Sequence, residues 1–122
     1  MATQALSIPG SSLRGPVDFR IEPDPASPRA FHLSGELDLA SSPQLVQAVL
    51  PAAQQEGDLR LDLKELSFID SSGIRALLIL AEELGTRGTL ILASATPPVE
   101  HTLRLVGIER ATNVTLGEPS GS

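Results

Sequence analysis

Cysteine, tryptophan and tyrosine are absent from this 122-residue chain, and the aromatics come down to Phe19, Phe31 and Phe68. Without thiols there are no disulfides and no thiolate metal sites, so the fold must stand on packing alone. The shortage of aromatics removes stacking platforms for single-stranded nucleic acid and leaves the core to Leu, Ile, Val and Ala. Basic residues are also scarce: nine Lys and Arg stand against fifteen Asp and Glu, a formal net charge of -6. Phosphate backbones require concentrated Lys and Arg, so the macromolecular partner expected here is a protein and not a nucleic acid. No apolar run approaches the roughly 20 residues that span a bilayer, and Met1 to Gly10 lacks a basic start followed by an apolar stretch. The expectation is a soluble cytoplasmic protein with no membrane association. At this length, with 41% hydrophobic residues, one packed domain is the default.

What is present reads as alternating strands and helices. Residues 1–15, rich in Ser, Gly, Ala and Gln, form an expected flexible leader. Val17, Phe19 and Ile21 alternate with charged residues as in a half-buried strand, Pro23 to Pro28 reads as a loop, and Phe31 and Leu33 resume the alternation, giving a hairpin that ends at Gly35-Glu36-Leu37-Asp38. Ser42-Pro43 is a helix start in which Ser supplies the capping oxygen, and Pro51 ends or kinks that helix. Leu59, Leu61 and Leu63 form the next strand, and Lys64-Glu65 reads as a connection to Leu66, Phe68 and Ile69, taken as anchors. Ile74, Leu77, Leu78, Ala81 and Leu84 repeat at helical spacing up to Gly85. Thr89 to Ala93 is a buried strand, Thr96-Pro97 opens a third helix with Val99, Leu103 and Val106 on one face, and Ala111 to Leu116 is a last edge strand. Residues 16–116 are the expected domain and 117–122 a loose tail. The fold class is α/β: one mixed, mostly parallel sheet packed against helices.

Asp70-Ser71-Ser72-Gly73 lies where the leucine-striped strand hands over to the apolar helix. Asp and Ser suit a helix N-terminus, because their oxygens accept from backbone N–H groups that lack intrahelical partners. Common enzyme signatures are missing: there is no nucleophile elbow around a serine, no phosphate-binding loop and no dinucleotide fingerprint. His32 and His101 have no metal-ligand spacing and read as solvated positions. A Ser-His-Asp set built from Ser71, one of these histidines and Asp38 is the residual catalytic reading. The expectation is a non-enzyme with no metal and no cofactor.

Asp70-Ser71-Ser72-Gly73, preceded by Leu66-Ser67-Phe68-Ile69 and by Leu59 to Leu63, resembles the signature of bacterial anti-sigma factor antagonists, which are single STAS domains. Gly35-Glu36-Leu37-Asp38 is similar to a second motif of that family, the turn after the second strand, and Ser94 to Val99 with Leu105 to Ile108 matches its third-helix region. The resemblance implies a partner-switching cycle. Such a protein, unphosphorylated, binds an anti-sigma factor that is itself a serine kinase, which frees a sigma factor; the kinase phosphorylates the first serine after the aspartate, and a serine phosphatase reverses this. Carried onto this sequence, Ser71 is the phosphoacceptor, Asp70, Ser72 and Gly73 shape the docking site, and Asp38 lies on the neighbouring turn. The alternative from another class is an unphosphorylated STAS scaffold or transporter accessory subunit.

Two departures from the family pattern bear on the site. Arg75 stands where many relatives have a small residue, and as a long cation it would pair with a phosphate, contact the partner or lie solvated on the helix face. The chain ends soon after the last strand, so the fourth helix of the family is expected to be short or absent, with the surface it would cover expected to serve a weak homodimer.

Overall fold

The computed structural model describes residues 18–111 and 113–118. The expected leader, Val17 of the first predicted strand and residues 119–122 of the expected tail lie outside them. Five strands form one sheet: β1 (Arg20–Asp24), β2 (Ser27–Leu37), β3 (Leu59–Ile69), β4 (Leu90–Ala93) and β5 (Val114–Glu118). They lie side by side in chain order, β1 antiparallel to β2 and every later pair parallel. A parallel neighbour requires a crossover, and α1 (Ser42–Ala53), α2 (Ser71–Leu84) and α3 (Pro97–Leu105) supply the three. The mixed, mostly parallel α/β architecture follows the sequence expectation.

The core is aliphatic. Leu33, Leu37, Leu45, Leu61, Leu63, Leu66, Leu77, Leu80, Leu90 and Leu92 are among its fully buried members, Val99, Leu103, Val114 and Leu116 join it from α3 and β5, and no aromatic residue is fully buried. Phe68 is 45% exposed, so it is not the anchor that its neighbours suggested. The reason lies in the register of β3. Between His32–Asp62 and Ser34–Glu65, β3 advances three residues where β2 advances two; between Gly35–Leu66 and Glu36–Phe68 it advances two where β2 advances one. Each extra residue is a bulge that re-aims the chain. The inward spacing accordingly changes from two to three, through Leu63, Leu66 and Ile69. Lys64-Glu65, expected as a connection, lies inside one 11-residue strand.

The hairpin also differs from its reading. Pro23 is in β1 and Pro28 in β2, leaving Pro25-Ala26 as the turn, where the Ala26 N–H donates to Asp24 Oδ1 at 2.7 Å. These prolines are tolerated because their positions ask for no second hydrogen bond: β1 is paired on one side only among the described strands, and β2 meets β3 only from Ala30 onward. β2 then runs through Gly35 to Leu37, so the turn begins at Asp38.

Helix α1 continues past Pro51 to Ala53; the proline sits in the last turn. On α2, Gly73, Ile74, Ala76, Leu77, Leu80, Ala81 and Leu84 face inward, whereas Leu78, expected on that stripe, is 40% exposed. On α3, Val99 and Leu103 are buried but Val106, at the C-cap, is exposed. Gly107 follows in the left-handed conformation and ends the helix.

Candidate functional site

Leu37 and Ile69 are register partners at the C-terminal ends of β2 and β3, and the Asp70 N–H donates to the Leu37 carbonyl at 3.2 Å. The two strands therefore deliver Asp38 and Asp70 side by side at one edge of the sheet, each at the start of a helical crossover. Both carboxylates are taken up by backbone N–H groups there.

At the first junction Asp38 Oδ1 accepts from the N–H groups of Ala40 and Ser41, each at 3.1 Å. The Ser41 hydroxyl accepts from the Asp38 N–H at 2.9 Å and lies within donating distance of both Asp38 Oδ1 (3.0 Å) and the Glu36 carbonyl (2.9 Å). These bonds stabilise the ionised carboxylate, the Ser41 hydroxyl most of all, and hold Asp38 below the ordinary carboxyl range. Ser42, expected to cap α1 with its oxygen, instead donates its hydroxyl to the Asp38 carbonyl at 2.6 Å. Ser41 and Ser42 are both buried, so this turn is tied down from inside. Asp38, Glu36 and Asp18 line a shallow hollow there, with Arg20 as its only cation among the described residues.

At the second junction Asp70 has extended backbone and is the N-cap of α2; its Oδ1 accepts from the Ser72 N–H at 2.9 Å and the Gly73 N–H at 3.1 Å. Gly73 does not shape an outer surface. It is buried, and a Cβ there would lie 2.7 Å from Ile69 Cγ1 and 2.9 Å from the Leu37 carbonyl oxygen, so only glycine lets α2 start this close to the strand ends. Gly35 has an equivalent duty: at φ +91°, a Cβ would sit 2.0 Å from the Asp18 carbonyl oxygen. Ser71, the first residue of α2, is exposed, and Ser72 is half-buried. Neither hydroxyl forms a hydrogen bond among the described residues.

Of the six residues singled out in the sequence, the fold brings Asp38, Asp70, Ser71, Ser72 and Gly73 to one edge, with Arg75 one turn further along α2. They divide by duty: Asp38, Asp70 and Gly73 hold the backbone, while Ser71 and Arg75 face solvent. Two features were missed. Leu39, just after Asp38, is 76% exposed, and Ile79 of α2 is 40% exposed; with Val46, Leu50 and Ala76 they line an apolar groove of about 430 Å³ between α1 and α2, whose wall includes Ser72 and Arg75. The available signal was Ile79 lying outside the inward stripe of α2. His32 was missed as a bridge between two carboxylates: Nε2 lies 2.8 Å from Asp24 and Nδ1 3.2 Å from Asp62. That pairing engages His32, Asp38 is engaged with Ala40 and Ser41, and among the described residues no hydrogen bond joins Ser71 to His32, His101 or Asp38. Among the described residues no cluster of His, Asp and Glu has metal-site geometry. No helix among them is long and apolar enough to cross a membrane.

The sequence profile of the STAS domain matches residues 15–118. The chain belongs to the STAS domain family. Within that family, 43 residues of this STAS domain are 42% identical to the anti-sigma-B factor antagonist of Bacillus subtilis (strain 168), a stretch covering 35% of this chain and 39% of that protein. The matched segment thus spans about two fifths of the length of that curated relative. The same fold is found in the anti-sigma factor antagonist SpoIIAA in its unphosphorylated form, with a TM-score of 0.61 at 21% identity over 82% of this chain and 88% of that one. The phosphorylated form of SpoIIAA, described as a Bacillus cell fate determinant, matches with a TM-score of 0.56 at 20% identity over 82% and 91% of the two chains. Both likenesses establish a shared STAS architecture.

Proposed function

We propose that this STAS domain is a cytoplasmic anti-sigma factor antagonist, a regulator and not an enzyme, which binds an anti-sigma factor with serine kinase activity while Ser71 is unmodified and releases it once Ser71 is phosphorylated. A serine phosphatase of the same pathway would restore the binding form. The observation that carries the reading is the exposed Ser71 hydroxyl, free of hydrogen bonds among the described residues, on a helix start whose backbone is already fixed by Asp70. The likeness to antagonists solved in phosphorylated and unphosphorylated forms supports it.

The switch follows from charge. A phosphate on Ser71 adds about 1.5 to 2 negative charges beside Asp70 and on the same sheet edge as Asp38 and Glu36. Asp70 Oδ1 already occupies the N–H groups of Ser72 and Gly73, so these donors are not available to the phosphate. The fold has no reason to rearrange, since Ser71 supports no contact that the core needs. A docked partner, in contrast, meets a hydrated dianion where it met a hydroxyl, and like-charge juxtaposition at an interface costs on the order of several kcal/mol. At about 1.4 kcal/mol per factor of ten, that is enough to dissociate a complex.

The test is a titration of the cognate anti-sigma kinase with three forms of the chain, followed by intact mass after incubation with ATP. The parent should bind and gain one phosphate, Ser71→Ala should bind and gain none, and Ser71→Asp should bind at least tenfold more weakly. Equal binding by all three forms, or a phosphate that persists in Ser71→Ala, would sink the reading.

A further inference from the structure

We propose that Arg75 is the counter-ion of a phosphate on Ser71, so that modification draws its guanidinium away from the groove between α1 and α2. The inference rests on the reading of Ser71 as phosphoacceptor and adds how the change is passed on. Residues four apart on a helix share a face with Cβ atoms about 5–6 Å apart, so a phosphate on Ser71 lies within reach of the Arg75 side chain. The local backbone does not compete for it, because Asp70 holds the Ser72 and Gly73 N–H groups.

Three other arginines are engaged: Arg29 and Arg87 donate to backbone carbonyls near the end of α1, and Arg104 pairs with Glu100 and Glu109. Arg75 is exposed and has no hydrogen bond or ion pair among the described residues. Among the described residues it is also the one charged side chain lining a groove otherwise formed by Leu39, Val46, Leu50, Ala76, Ile79 and polar groups. In the unmodified protein it gives the groove a cationic rim. Paired with phosphate it leaves that rim uncharged, so a partner that answers Arg75 with a carboxylate loses that contact while meeting the dianion.

The experiment installs phosphoserine at position 71 by genetic encoding, without any kinase, and follows the ³¹P shift through pH in the full chain and in its R75A and R75K forms at low salt. Arg75→Ala should raise the second phosphate pKa by about 0.2–0.4 unit, the size an exposed i,i+4 charge pair supports. Arg75→Lys should recover part of that difference, and about 0.5 M salt should shrink it. Asp70 acts on the phosphate in all three forms and cancels from the comparison. Circular dichroism checks that R75A is folded, as expected for an exposed side chain. If R75A titrates with the parent, the pairing is wrong. A kinase that fails to modify Ser71 would end the functional reading instead and would not alter this titration.

Discussion

The two ends of the parallel sheet handle the same problem with opposite chemistry. At the edge where β2 and β3 finish, helices begin, and their unpaired N–H groups are met by the carboxylates of Asp38 and Asp70. At the other end α1 finishes, and carbonyls of its last turn and of the loop that follows are met by guanidinium groups: Arg29 donates to Ala52 and Gly57, each at 2.7 Å, and Arg87 to Ala53 at 3.0 Å. Each choice complements the partial charge of a helix terminus. The difference lies in what is left over. The arginine end consumes its side chains in ties to backbone, whereas the carboxylate end leaves Ser71, Ser72 and Arg75 without partners among the described residues, beside exposed Leu39 and Ile79. One end is built for holding, the other for holding and presenting.

Substitutions can break that contrast, and the largest effect is expected where presentation depends on packing. Gly73→Ala should cost about 3 kcal/mol in urea denaturation, the upper range for overpacking, since the new methyl meets the Leu37 carbonyl oxygen as well as side chains that might otherwise yield. A loss below about 1 kcal/mol would show that α2 can retreat from the strand ends. Arg29→Ala should cost about 2 kcal/mol, because several carbonyls around the α1–β3 connection lose a charged donor while water reaches some of them. It should leave binding by the opposite edge unchanged. If Arg29→Ala instead weakened partner binding as much as stability, the two ends would not be separable.

Much of this division was legible in the sequence, and the exceptions have physical causes. Element types and order were accessible because Leu59 to Leu63 has period two and Ile74 to Leu84 has helical period. Phe68 misled because three large apolar residues after an apparent connection at Lys64-Glu65 all read as anchors, and bulges defined by pairing with β2 leave no local signature beyond the three-residue step from Leu63 to Leu66. Ser42 and Thr96 had the composition of caps, yet the Ser42 hydroxyl donates back to the Asp38 carbonyl four residues earlier, and the Thr96 hydroxyl to the Leu66 carbonyl of β3, a partner set by tertiary geometry. Asp70, by contrast, caps α2 as its sequence position suggested, because the capping bond is local. The role of Gly73 needed the junction of two strands remote in sequence, since its Cβ would meet both Leu37 and Ile69, whereas the bonds of Asp38 to Ala40 and Ser41 are local.

A smaller effect is expected from pH. Hydrogen bonds from Ser41 and Ala40 lower the folded pKa of Asp38, so its contribution to stability is fully present above the unfolded carboxyl value of about 4 and is lost as pH falls through the lowered folded value. Asp24 behaves in the same direction, with the bond from His32 as the main cause. Asp38→Asn should therefore be less stable than the parent at neutral pH and approach it as pH falls through the lowered folded value, in urea titrations at matched ionic strength. Because Asp38 is only half-buried, solvent screening keeps the difference modest. A constant gap across the acid range would point to lost shape and not to charge.

The smallest effect on stability is expected at the residue with the largest proposed effect on function. Ser71→Ala removes an exposed hydroxyl without a partner among the described residues and puts a strong helix former at the first position of α2, so unfolding free energy should change by no more than about 0.5 kcal/mol. The neighbouring cap should be untouched, since it is the Asp70 carboxylate that accepts from Ser72 and Gly73. A loss of more than about 1 kcal/mol would mean that Ser71 shares in holding the edge, and the separation between Asp70 as support and Ser71 as presented group would fail. A neutral result makes Ser71→Ala a clean probe, because any change in kinase binding could then be assigned to the hydroxyl and not to the fold that carries it.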